Sequence, residues 1–577
     1  MTAAKRTTRP LRSRITTDGL DRVPHRAFMR GQGLDDDAIA RPMICVVSTQ
    51  SETSPCNMGL GDQARHAYRG VQEAGGTPRE STTISVSDGL SMNHQGMKAS
   101  LMSRELIADS IELIMRGHAY DGIVGYGGCD KNLPAMIMGM VRMNAPSVFV
   151  YGGSTLPGMY KGKVISILDT YEGAGAVMTG QLSQAELDAM ERVAMPTVGS
   201  CPGQFTANTM GMVGEVLGIS PLGSSLIPAV HAERAAVGRR AGHLVMQILE
   251  RGGPLPRDLI TRKSLENACA IIAATGGSTN AGMHVCAIAN EAGIRFTMDD
   301  VGAVFERTPL IGNLRPGGQY YALDVHRLGG VPMIVKELIA GGVMHGDTLT
   351  LTGQTLEEAV RDAPAPDGEV IRPLPDAIDR TGGVIVIKGN LAPEGAFIKV
   401  AGLKTRVHEG PARVFESEEE AMAVIRKRGY EAGEVLIIRN EGPKGGPGMR
   451  EMLGPTAVIY GQGMGEKVAL VTDGRFSGAT RGMCIGYLSP EAGAGGPLAL
   501  VQDGDIIRID TTEGVRRIDM AMDEAELARR RAALAARPAR RLAGAMEKYA
   551  NAVQSAYLGA ITHSGAAEWP MDELPDE

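Results

Sequence analysis

The amino-acid sequence predicts an α/β fold: an N-terminal domain with a mostly parallel sheet, followed by a β-rich C-terminal domain. Up to about residue 200, apolar runs typical of buried strands alternate with helical segments, the pattern of a helix-covered parallel sheet. Residues 200–345 are predicted to be mainly helical, and short strands follow a proline-rich passage near residue 365. Because 577 residues exceed one compact core, we expect a flexible basic tail (residues 1–14), an α/β domain (15–365) and a β-rich domain, compatible with a barrel and ending in two helices (366–577).

The composition is that of an ordinary globular enzyme and argues against several other classes of protein. Hydrophobic residues make up 43% of the chain, and the net charge of −7 gives no reason to expect nucleic acid or a membrane surface as a partner. No apolar run approaches the roughly 20 residues of a membrane span. The basic N-terminus lacks the apolar segment of a secretory signal, and a transit peptide is the alternative to a flexible tail. Seven cysteines argue against a disulfide framework and for a reducing compartment, so we expect a cytoplasmic protein.

The N-terminal domain is predicted to contain four strands separated by helices. The strands are expected at residues 43–48, 82–86, 122–126 and 147–151. A helix that begins near Asp62 should end at Gly75-Gly76, because glycine commonly terminates helices. Another helix is amphipathic and is predicted to present four apolar residues on one face: Leu106, Ile107, Ile111 and Ile114.

Chemically active side chains follow three of these strands. Cys56 lies in the loop after the first strand, Asp88 follows the second, and Cys129-Asp130-Lys131 follows the third in a glycine-rich turn. Because open α/β sheets bind ligands at the carboxyl ends of their strands, these side chains should meet at one edge. A thiolate suits iron or another soft metal, whereas a carboxylate suits a hard cation such as Mg²⁺. The alternative for Cys129-Asp130-Lys131 alone is a small buried cysteine beside a surface ion pair.

Three of the seven cysteines differ from the others in their surroundings. Cys56, Cys129 and Cys201 lie in loops bounded by glycine or proline, whereas four cysteines are predicted to be structural: Cys45, Cys269, Cys286 and Cys484. Three cysteines are one short of the four that usually hold an iron–sulfur cluster for electron transfer. A cluster with three protein ligands would leave one iron open as a Lewis acid for a substrate oxygen. The usual closely spaced cysteine pairs are missing, so the spacing alone does not establish a cluster.

The C-terminal domain is predicted from short apolar runs separated by glycine turns. The strands are expected at residues 383–388, 396–400, 435–439, 467–472, 498–501 and 505–509. Two helices, near residues 524–536 and 542–558, should close the chain. We interpret Arg529-Arg530-Arg531, on the first of these helices, as a solvated face.

Three glycine-containing motifs each have two interpretations. Residues 441–451 resemble a phosphate-binding loop but lack the Gly-Lys-Ser/Thr ending, and the competing hypothesis is a flexible loop that carries Glu451 to a metal. Ser477, in residues 473–478, has no histidine nearby in the sequence for a hydrolase triad, but it could act as a base if a cation stabilised its alkoxide. Residues 276–280 could hold a carboxylate or could simply cap a helix.

In their order along the chain, these segments resemble the dihydroxy-acid dehydratase and phosphogluconate dehydratase family, and the dihydroxy-acid branch most of all. The resemblance extends from about Leu11 to Thr562. It is carried by residues 53–57, 85–92, 103–112, 128–131, 206–210, 276–280, 389–393, 441–453, 473–478 and 489–496. So many segments in one order make the resemblance specific.

The resemblance implies an N-terminal α/β domain, a β-barrel-like swivelling C-terminal domain and an iron–sulfur cluster. Cys56, Cys129 and Cys201 would be the ligands of this cluster, and the context of Cys56 resembles that of the members with a [2Fe–2S] centre. One departure is Pro202, which stands where the family often has glycine. A proline removes a backbone donor beside the cluster and could alter its potential or the fit of the substrate.

The resemblance also implies a Mg²⁺ site and a catalytic base. Asp88, Asp130 and Glu451 would bind Mg²⁺ together with Lys131 in carbamylated form, because a carbamate supplies the oxygen ligand that an ammonium lacks. Ser477 matches the base that removes a proton from the substrate.

The implied reaction is dehydration of a 2,3-dihydroxy acid to a 2-oxo acid. Mg²⁺ would chelate the carboxylate and the 2-hydroxyl of the substrate, Ser477 would remove the C2 proton, and the open iron would take the 3-hydroxyl. The expected substrates are 2,3-dihydroxyisovalerate and 2,3-dihydroxy-3-methylvalerate of branched-chain amino-acid synthesis, and the expected assembly is a homodimer or a dimer of dimers. Two alternatives stay open: a sugar-acid dehydratase with the same chemistry, and an inactive, metal-free binding protein.

Overall fold

A four-stranded parallel sheet organises the N-terminal half of the computed structural model, which describes residues 10–534 and 541–565. Its strands are β1 (Met43–Ser48), β2 (Thr77–Thr82), β3 (Gly122–Gly127) and β4 (Ser147–Tyr151), and a small hairpin of β5 (Gly158–Tyr160) and β6 (Lys163–Ile165) follows. The order across the sheet is β2-β1-β3-β4, and every neighbouring pair is parallel. The carboxyl ends of all four strands therefore lie at one edge, as the sequence predicted.

Helices make up most of the rest of the N-terminal half. They are α1 (Arg14–Thr17), α2 (Val23–Gly31), α3 (Asp36–Ala40), α4 (Leu60–Glu73), α5 (Asp88–Ser91), α6 (Lys98–Gly117), α7 (Asn132–Met143), α8 (Ile167–Met178), α9 (Gln184–Glu191), α10 (Thr206–Val216), α11 (Glu233–Arg251), α12 (Pro256–Leu259), α13 (Arg262–Ala274), α14 (Thr279–Glu291), α15 (Met298–Arg307), α16 (Ala322–Arg327), α17 (Val331–Ala340) and α18 (Leu356–Val360). The pair α4 and α11 covers one face of the sheet and the pair α6 and α7 covers the other. In β3, Gly122 faces Val245 of α11 whereas Gly125 faces Met136 of α7, as expected for strand residues an odd number of positions apart.

Two details of the N-terminal prediction were wrong. The second strand is β2 and not residues 82–86: Ile84, which suggested the later position, is 47% exposed. Because β2 is an edge strand whose side chains become partly exposed from Arg79 onward, its apolar signal is weak. In α6, Ile107 and Ile111 are buried but Leu106 is 50% exposed, since one residue of rotation turns it away from the core.

The C-terminal half forms an eight-stranded sheet that curls into a barrel. Its strands are β7 (Val384–Ile387), β8 (Gly395–Lys399), β9 (Val407–Phe415), β10 (Val435–Ile438), β12 (Ala469–Thr472), β14 (Cys484–Ser489), β15 (Ile506–Asp510) and β16 (Arg517–Met520), and a separate two-stranded sheet pairs β11 (Glu451–Met452) with β13 (Arg475–Phe476). The order is β16-β15-β9-β10-β12-β14-β8-β7, and a bridge between Lys388 and Arg517 joins the end of β7 to β16. This bridge nearly closes the barrel, so few strand edges are left unpaired.

The helices of the C-terminal half are α19 (Glu418–Ile425), α20 (Gly454–Gly461), α21 (Glu524–Ala533) and α22 (Gly544–Ala552). Residues 498–501 were predicted to be a strand, but residues Pro497–Leu500 form a single 3₁₀ turn, as a proline at the start of a turn favours. Strands β9, β14 and β16 were not predicted. Arg530 is not part of a solvated face, because its side chain is only 12% exposed and pairs with Asp505, whereas Arg529 is exposed.

The structure describes only part of the predicted terminal segments. Residues 1–9 of the predicted tail and residues 535–536 of the predicted helix lie outside the described residues. Ser13 is buried and its backbone N–H donates to Asp121. In residues 10–534 and 541–565, no helix has the length and apolarity needed to cross a membrane.

Apolar residues of the two halves pack together in more than one place, and one of these contacts is aromatic. Phe397 of β8 packs against Phe305 of α15 and Tyr487 of β14, with ring centroids 6.2 and 5.3 Å apart. All three side chains are nearly inaccessible to solvent, and such aromatic pairs add to the free energy gained from burial. The β11–β13 sheet lies at the carboxyl edge of the N-terminal sheet, where Glu451 contacts Lys131.

Candidate active site

A cavity of about 150 Å³ lies where the strand ends of the N-terminal sheet meet the C-terminal half. Seven of the eight site residues predicted from the sequence line it: Cys56, Asp88, Cys129, Asp130, Cys201, Glu451 and Ser477. The eighth, Lys131, is fully buried and contacts Asp88 and Glu451. The structure thus brings together residues from widely separated segments of the chain.

Backbone contacts join the three loops that carry the cysteines. The N–H of Gly199 donates to the carbonyl of Pro55 at 2.8 Å, and the hydroxyl of Ser200 donates to the carbonyl of Gly128. Gly128 itself packs against the Cys56 backbone so closely that a Cβ atom there would lie 2.0 Å from the carbonyl oxygen of Cys56. Only glycine therefore permits this approach of the Cys56 and Cys129 loops.

Two asparagines, Asn57 and Asn132, join the Cys56 and Cys129 loops by hydrogen bonds. The amide of Asn57 donates to Asn132 Oδ1 at 2.8 Å, and the same oxygen accepts the backbone N–H of Cys129 at 3.0 Å. Asn132 begins α7, so this contact fixes the Cys129 turn to the helix behind it. Buried polar groups satisfied in this way hold a loop in one conformation.

The three cysteines Cys56, Cys129 and Cys201 line the same cavity, and a hydrogen bond joins the thiols of Cys56 and Cys129. A hydrogen bond from Cys129 lowers the pKa of Cys56, and the same bond together with burial raises the pKa of Cys129. Burial also raises the pKa of Cys201, and the negative charge of a neighbouring Cys56 thiolate adds to this effect. Because burial and neighbouring negative charge disfavour the thiolates of Cys129 and Cys201, ionisation of all three thiols requires a cation or metal centre beside them.

Three carboxylates lie beside the thiols in the lining of the cavity. Asp88, Asp130 and Glu451 each place an oxygen within 4.8 Å of the other two. Burial and the neighbouring carboxylates raise the pKa of Asp130 to about 8. The Lys131 ammonium partly offsets their charge, with its Nζ 2.5 Å from Asp88 and 2.6 Å from Glu451. Although burial opposes the charge on Lys131, these carboxylates raise its pKa.

Arg475 and Asn280 hold Glu451 in place from behind the cavity. Arg475 Nη1 donates to Glu451 Oε2 and to Asn280 Oδ1, each at 2.7 Å, and its Nε donates to the carbonyl of Met449. The hydroxyl of Tyr487 donates to the same Asn280 oxygen at 2.7 Å. In the motif at residues 276–280, Ser278 caps α14 and Asn280 orients Arg475. The contact of Ser278 is the one that the helix-capping interpretation describes.

Ser477 stands beside Glu451 because the short strands β11 and β13 are parallel neighbours. The N–H of Ser477 donates to the carbonyl of Met452 at 3.0 Å, which continues the ladder. On the other side of the turn, the buried Lys399 donates from Nζ to the carbonyl of Gly478 at 2.7 Å. Hydrogen bonds from two different strands thus hold Ser477 and Gly478 in place.

The loop that leads to Glu451 is largely buried and is held by hydrogen bonds, in contrast to the flexible loop of one hypothesis from the sequence. The N–H groups of Lys444 and Gly445 donate to the carboxylate of Glu491, which takes the position that a phosphate would occupy in a phosphate-binding loop. Gly448 has a φ of +94° and would place a Cβ atom 2.1 Å from the carbonyl oxygen of Lys98. Glycine at this position lets the loop pack against the N-terminal domain.

The remaining wall of the cavity is apolar and was not predicted. It is formed chiefly by Leu90, Ile167, Tyr171, Met195, Phe205 and Leu453. These residues come from separate loops and helix ends, so no local pattern connects them in the sequence. Arg475 and Asn280 were also not assigned a role, although both belong to motifs identified in the sequence. Lys399 was not identified either, although a lysine within an apolar strand is a signal that could have pointed to it.

Comparison with known proteins places the whole chain among one set of enzymes. Residues 41–359 match the family model described as dihydroxy-acid/6-phosphogluconate dehydratase N-terminal, and residues 369–560 match the corresponding C-terminal model. "Dihydroxy-acid dehydratase 3" of Bradyrhizobium diazoefficiens is 64% identical, covering 98% of this chain and 96% of its own length. "Dihydroxy-acid dehydratase 2" of Bordetella bronchiseptica is 61% identical (97% and 98%), and "Dihydroxy-acid dehydratase" of Parvibaculum lavamentivorans is 52% identical (96% and 96%).

The buried Lys399 should make stability depend on pH in the alkaline range. Burial lowers its pKa from 10.5 to about 7, so the unfolded chain binds more protons than the folded chain between these values. Wild-type stability should therefore gain from this group as pH rises from 7 to 10. We expect the Tm of Lys399→Met to fall relative to that of the wild type as pH rises from 7 to 10, as measured by calorimetry.

Lys404→Met is the matched control for this prediction, because Lys404 is exposed on the turn just after β8. Its difference in Tm from the wild type should stay constant between pH 7 and 10. A constant difference for Lys399→Met as well would contradict the lowered pKa.

Proposed function

The chain belongs to the dihydroxy-acid/6-phosphogluconate dehydratase family, and we propose that it is a hydro-lyase that converts 2,3-dihydroxy acids into 2-oxo acids. The substrates we propose are 2,3-dihydroxyisovalerate and 2,3-dihydroxy-3-methylvalerate, in branched-chain amino-acid biosynthesis. The observation that carries this proposal is the division of one cavity into a side with three carboxylates and three thiols and a side that is apolar. Ser477 lies in the same cavity, where it can reach a bound substrate.

The three carboxylates fit a divalent cation. One oxygen of each lies within 4.8 Å of the other two. In addition, Glu451 Oε1 is buried and has no hydrogen-bond partner among the described residues. A raised pKa of Asp130 means that its ionised form needs more positive charge than Lys131 and Arg475 provide. Carboxylate oxygens are hard ligands, so we propose that Asp88, Asp130 and Glu451 bind Mg²⁺.

Lys131 could join these ligands only after a change in its chemistry. Its ammonium would first lose a proton, and the free amine would then bond to the carbon of CO₂ and release a second proton, giving a carbamate. The carbamate carries a negative charge and an oxygen ligand in place of a positive charge. The buried position of Lys131 between Asp88 and Glu451 supports its role as this fourth ligand.

The three thiols fit a metal centre that is not fully enclosed by the protein. Cys56, Cys129 and Cys201 line the cavity, whereas the other four cysteines are buried elsewhere. Thiolates bind iron, and three of them leave one coordination position for another ligand. We propose that they hold a [2Fe–2S] cluster with one iron open to the cavity.

Catalysis then depends on where the side chains lie relative to the bound acid. When bound, the Mg²⁺ and the cluster would supply Lewis-acid chemistry, the first toward the substrate's carboxylate and 2-hydroxyl and the second toward its 3-hydroxyl. Asp88, Asp130 and Glu451 would hold the Mg²⁺ at the end of the cavity that receives the carboxylate of the substrate, and Arg475 keeps Glu451 oriented. Ser477 accepts the C2 proton as an alkoxide; the C–H electron pair forms the C2–C3 double bond, and the C3–O bond breaks. The hydroxyl leaves as water after it gains a proton, and the enol then loses the proton of its C2 hydroxyl and gains one at C3 to give the 2-oxo acid.

The apolar wall favours a branched alkyl acid over a sugar acid. Ile167, Met195 and Phe205 offer methyl, thioether and ring surfaces to the far end of a substrate. A polyol would leave hydroxyl groups without partners against this wall, at a cost of about 1–3 kcal/mol each. A phosphorylated sugar acid is disfavoured as well, because the described lining of the cavity contains no lysine or arginine.

Two further expectations from the sequence stay proposals. The seven cysteines are free, which fits a reducing compartment, and we propose a cytoplasmic location. A homodimer, or a dimer of dimers, is the assembly we propose.

A comparison of substrates tests the proposed function directly. For the anaerobically purified enzyme, we expect kcat/KM for 2,3-dihydroxyisovalerate to exceed that for gluconate and pentonates by at least about 10²-fold, since each unpaired hydroxyl of a polyol weakens transition-state binding. The 2-oxo acid product is measured in each case. A preference for a sugar acid would overturn the substrate assignment, and absence of turnover with all of them in protein loaded with iron and sulfide would overturn the assignment as an enzyme.

Removal of the proposed base should separate binding from chemistry. We expect Ser477→Ala to retain the absorbance of the cluster and substrate binding, but to lose turnover and exchange of the C2 proton with solvent by about 10²–10⁴-fold. Proton exchange is followed by NMR in D₂O. Ser220→Ala, which changes a buried serine outside the cavity, should behave like the wild type. A loss of only a few-fold in Ser477→Ala would remove Ser477 from this role.

Substitution of the cysteines should distinguish the proposed ligands from the structural ones. Cys56→Ser should lose iron and sulfide together with activity, because an alcohol is a poorer ligand than a thiolate for iron. Cys269→Ser, in the buried helix α13, should keep both. Metal analysis and electron paramagnetic resonance of the reduced, anaerobic protein are the measurements, and a [4Fe–4S] signature or an intact cluster in Cys56→Ser would contradict the assignment.

A further inference from the structure

Three potential metal ligands meet on the surface, outside the active-site cavity. His231 lies in the loop before α11, Glu233 is the first residue of α11, and His326 lies in α16. The fold brings α16 beside α11 although they are far apart in the sequence. One imidazole nitrogen of each histidine and one carboxylate oxygen of Glu233 all lie within 4.8 Å of one another.

Two of the three distances between these ligand atoms can be compared with those of a tetrahedral site. His231 Nδ1 is 3.2 Å and His326 Nε2 is 3.9 Å from the same Glu233 oxygen, Oε1. Zinc bound at about 2.0–2.1 Å places its ligand atoms about 3.3–3.4 Å apart. The first distance is already close to this value, and the second needs a shift of about half an ångström, which the 53% exposed side chain of Glu233 has room to make.

An ordinary surface ion pair accounts for these contacts less well. A pair needs one histidine, yet two imidazole rings approach the same carboxylate, with planes 75° apart and centroids at 5.8 Å. The second imidazole is beyond hydrogen-bonding distance of Glu233. In the described chain no arginine or lysine pairs with Glu233: the neighbouring Arg234 turns inward to the carbonyls of Tyr151 and Ile227.

We propose that His231, Glu233 and His326 bind a divalent cation of the zinc class, with water completing the coordination. Two imidazoles and one carboxylate form the three-ligand set that zinc takes where it keeps an open position. The donors are too soft and too few for Mg²⁺, which prefers six oxygen ligands. This site is therefore chemically distinct from the carboxylate site in the cavity.

A cation at this position would join two segments that both support the Cys201 loop. The N–H of Ala322, the first residue of α16, donates to the carbonyl of Pro202 at 3.0 Å. On the other side, the N–H of Ala229 donates to the carbonyl of Ser154, and Ser154 forms a bridge with Ser200. The cation would cross-link the two supports on either side of Cys201, so its binding should stabilise this loop.

Zinc binding to the fully loaded, anaerobic enzyme tests the proposal. By titration calorimetry, we expect the wild type to bind one more Zn²⁺ per chain than His326→Ala, or to bind it at least tenfold more tightly. His243→Ala is the matched control, because His243 forms an exposed pair with Glu73 but has no second histidine partner there. It should bind Zn²⁺ like the wild type.

Two further measurements keep the test decisive if His326→Ala folds poorly. Glu233→Gln retains the shape of the side chain and should also weaken Zn²⁺ binding at least tenfold, since an amide is a poorer ligand than a carboxylate. Hydrogen exchange should slow with Zn²⁺ in residues 199–204, 229–234 and 322–327 of the wild type and not in Glu233→Gln. Equal Zn²⁺ binding by the wild type, His243→Ala and Glu233→Gln, or unchanged exchange in these segments, would overturn the proposal.

Discussion

Like-charged carboxylates held together in a buried site are the constraint on which the rest of this structure depends. Asp88 and Glu451 are almost inaccessible to solvent and belong to different halves of the chain, yet both contact the Lys131 ammonium. Buried charges are costly unless they are paired and hydrogen-bonded, so the protein surrounds them with Lys131, Arg475 and the Ser100 hydroxyl. The charge on Asp130 is left incompletely compensated, and this is what a site for a cation requires.

The same constraint explains how the two halves are joined. Glu451 reaches the N-terminal sheet only because its loop is fixed at several points, by the amides that bind Glu491 and by Gly448 against Lys98. The polar contacts are supplemented by the aromatic packing of Phe397 between Phe305 and Tyr487. Because the residues of the site are divided between the two halves, any rotation of one half against the other would separate them. The swivelling motion expected for the C-terminal domain stays a prediction, but its consequence for the site is fixed by this division.

The sequence predicted the parts of the fold that depend on local patterns. Apolar runs followed by glycine turns located β1, β3 and β4, and the rule that ligands bind at strand ends correctly placed Cys56, Asp88 and Cys129 at one edge. Local patterns failed for β2, an edge strand with polar residues, where pairing with β1 and not hydrophobicity decides the structure. Placing Cys201, Glu451 and Ser477 in the same site needed the family resemblance, because their loops are far apart in the chain. Neither approach found Asn280 and Lys399, whose contacts with Arg475 and Gly478 exist only in the folded chain.

The division of the cavity also accounts for the position of the serine. A hydroxyl is a weak base in water, so the role proposed for Ser477 requires positive charge nearby and little water. The lining of the cavity favours both conditions, since its carboxylates can hold a cation and its apolar wall, with Phe205 and Leu453, offers few hydrogen bonds to water. In the proposed mechanism an alkyl acid would complete this arrangement, because its hydrocarbon end would cover the apolar wall while its carboxylate would bind the cation. A substrate with hydroxyl groups at both ends would bring water or unpaired hydroxyls to the apolar wall and weaken the conditions under which the serine can act.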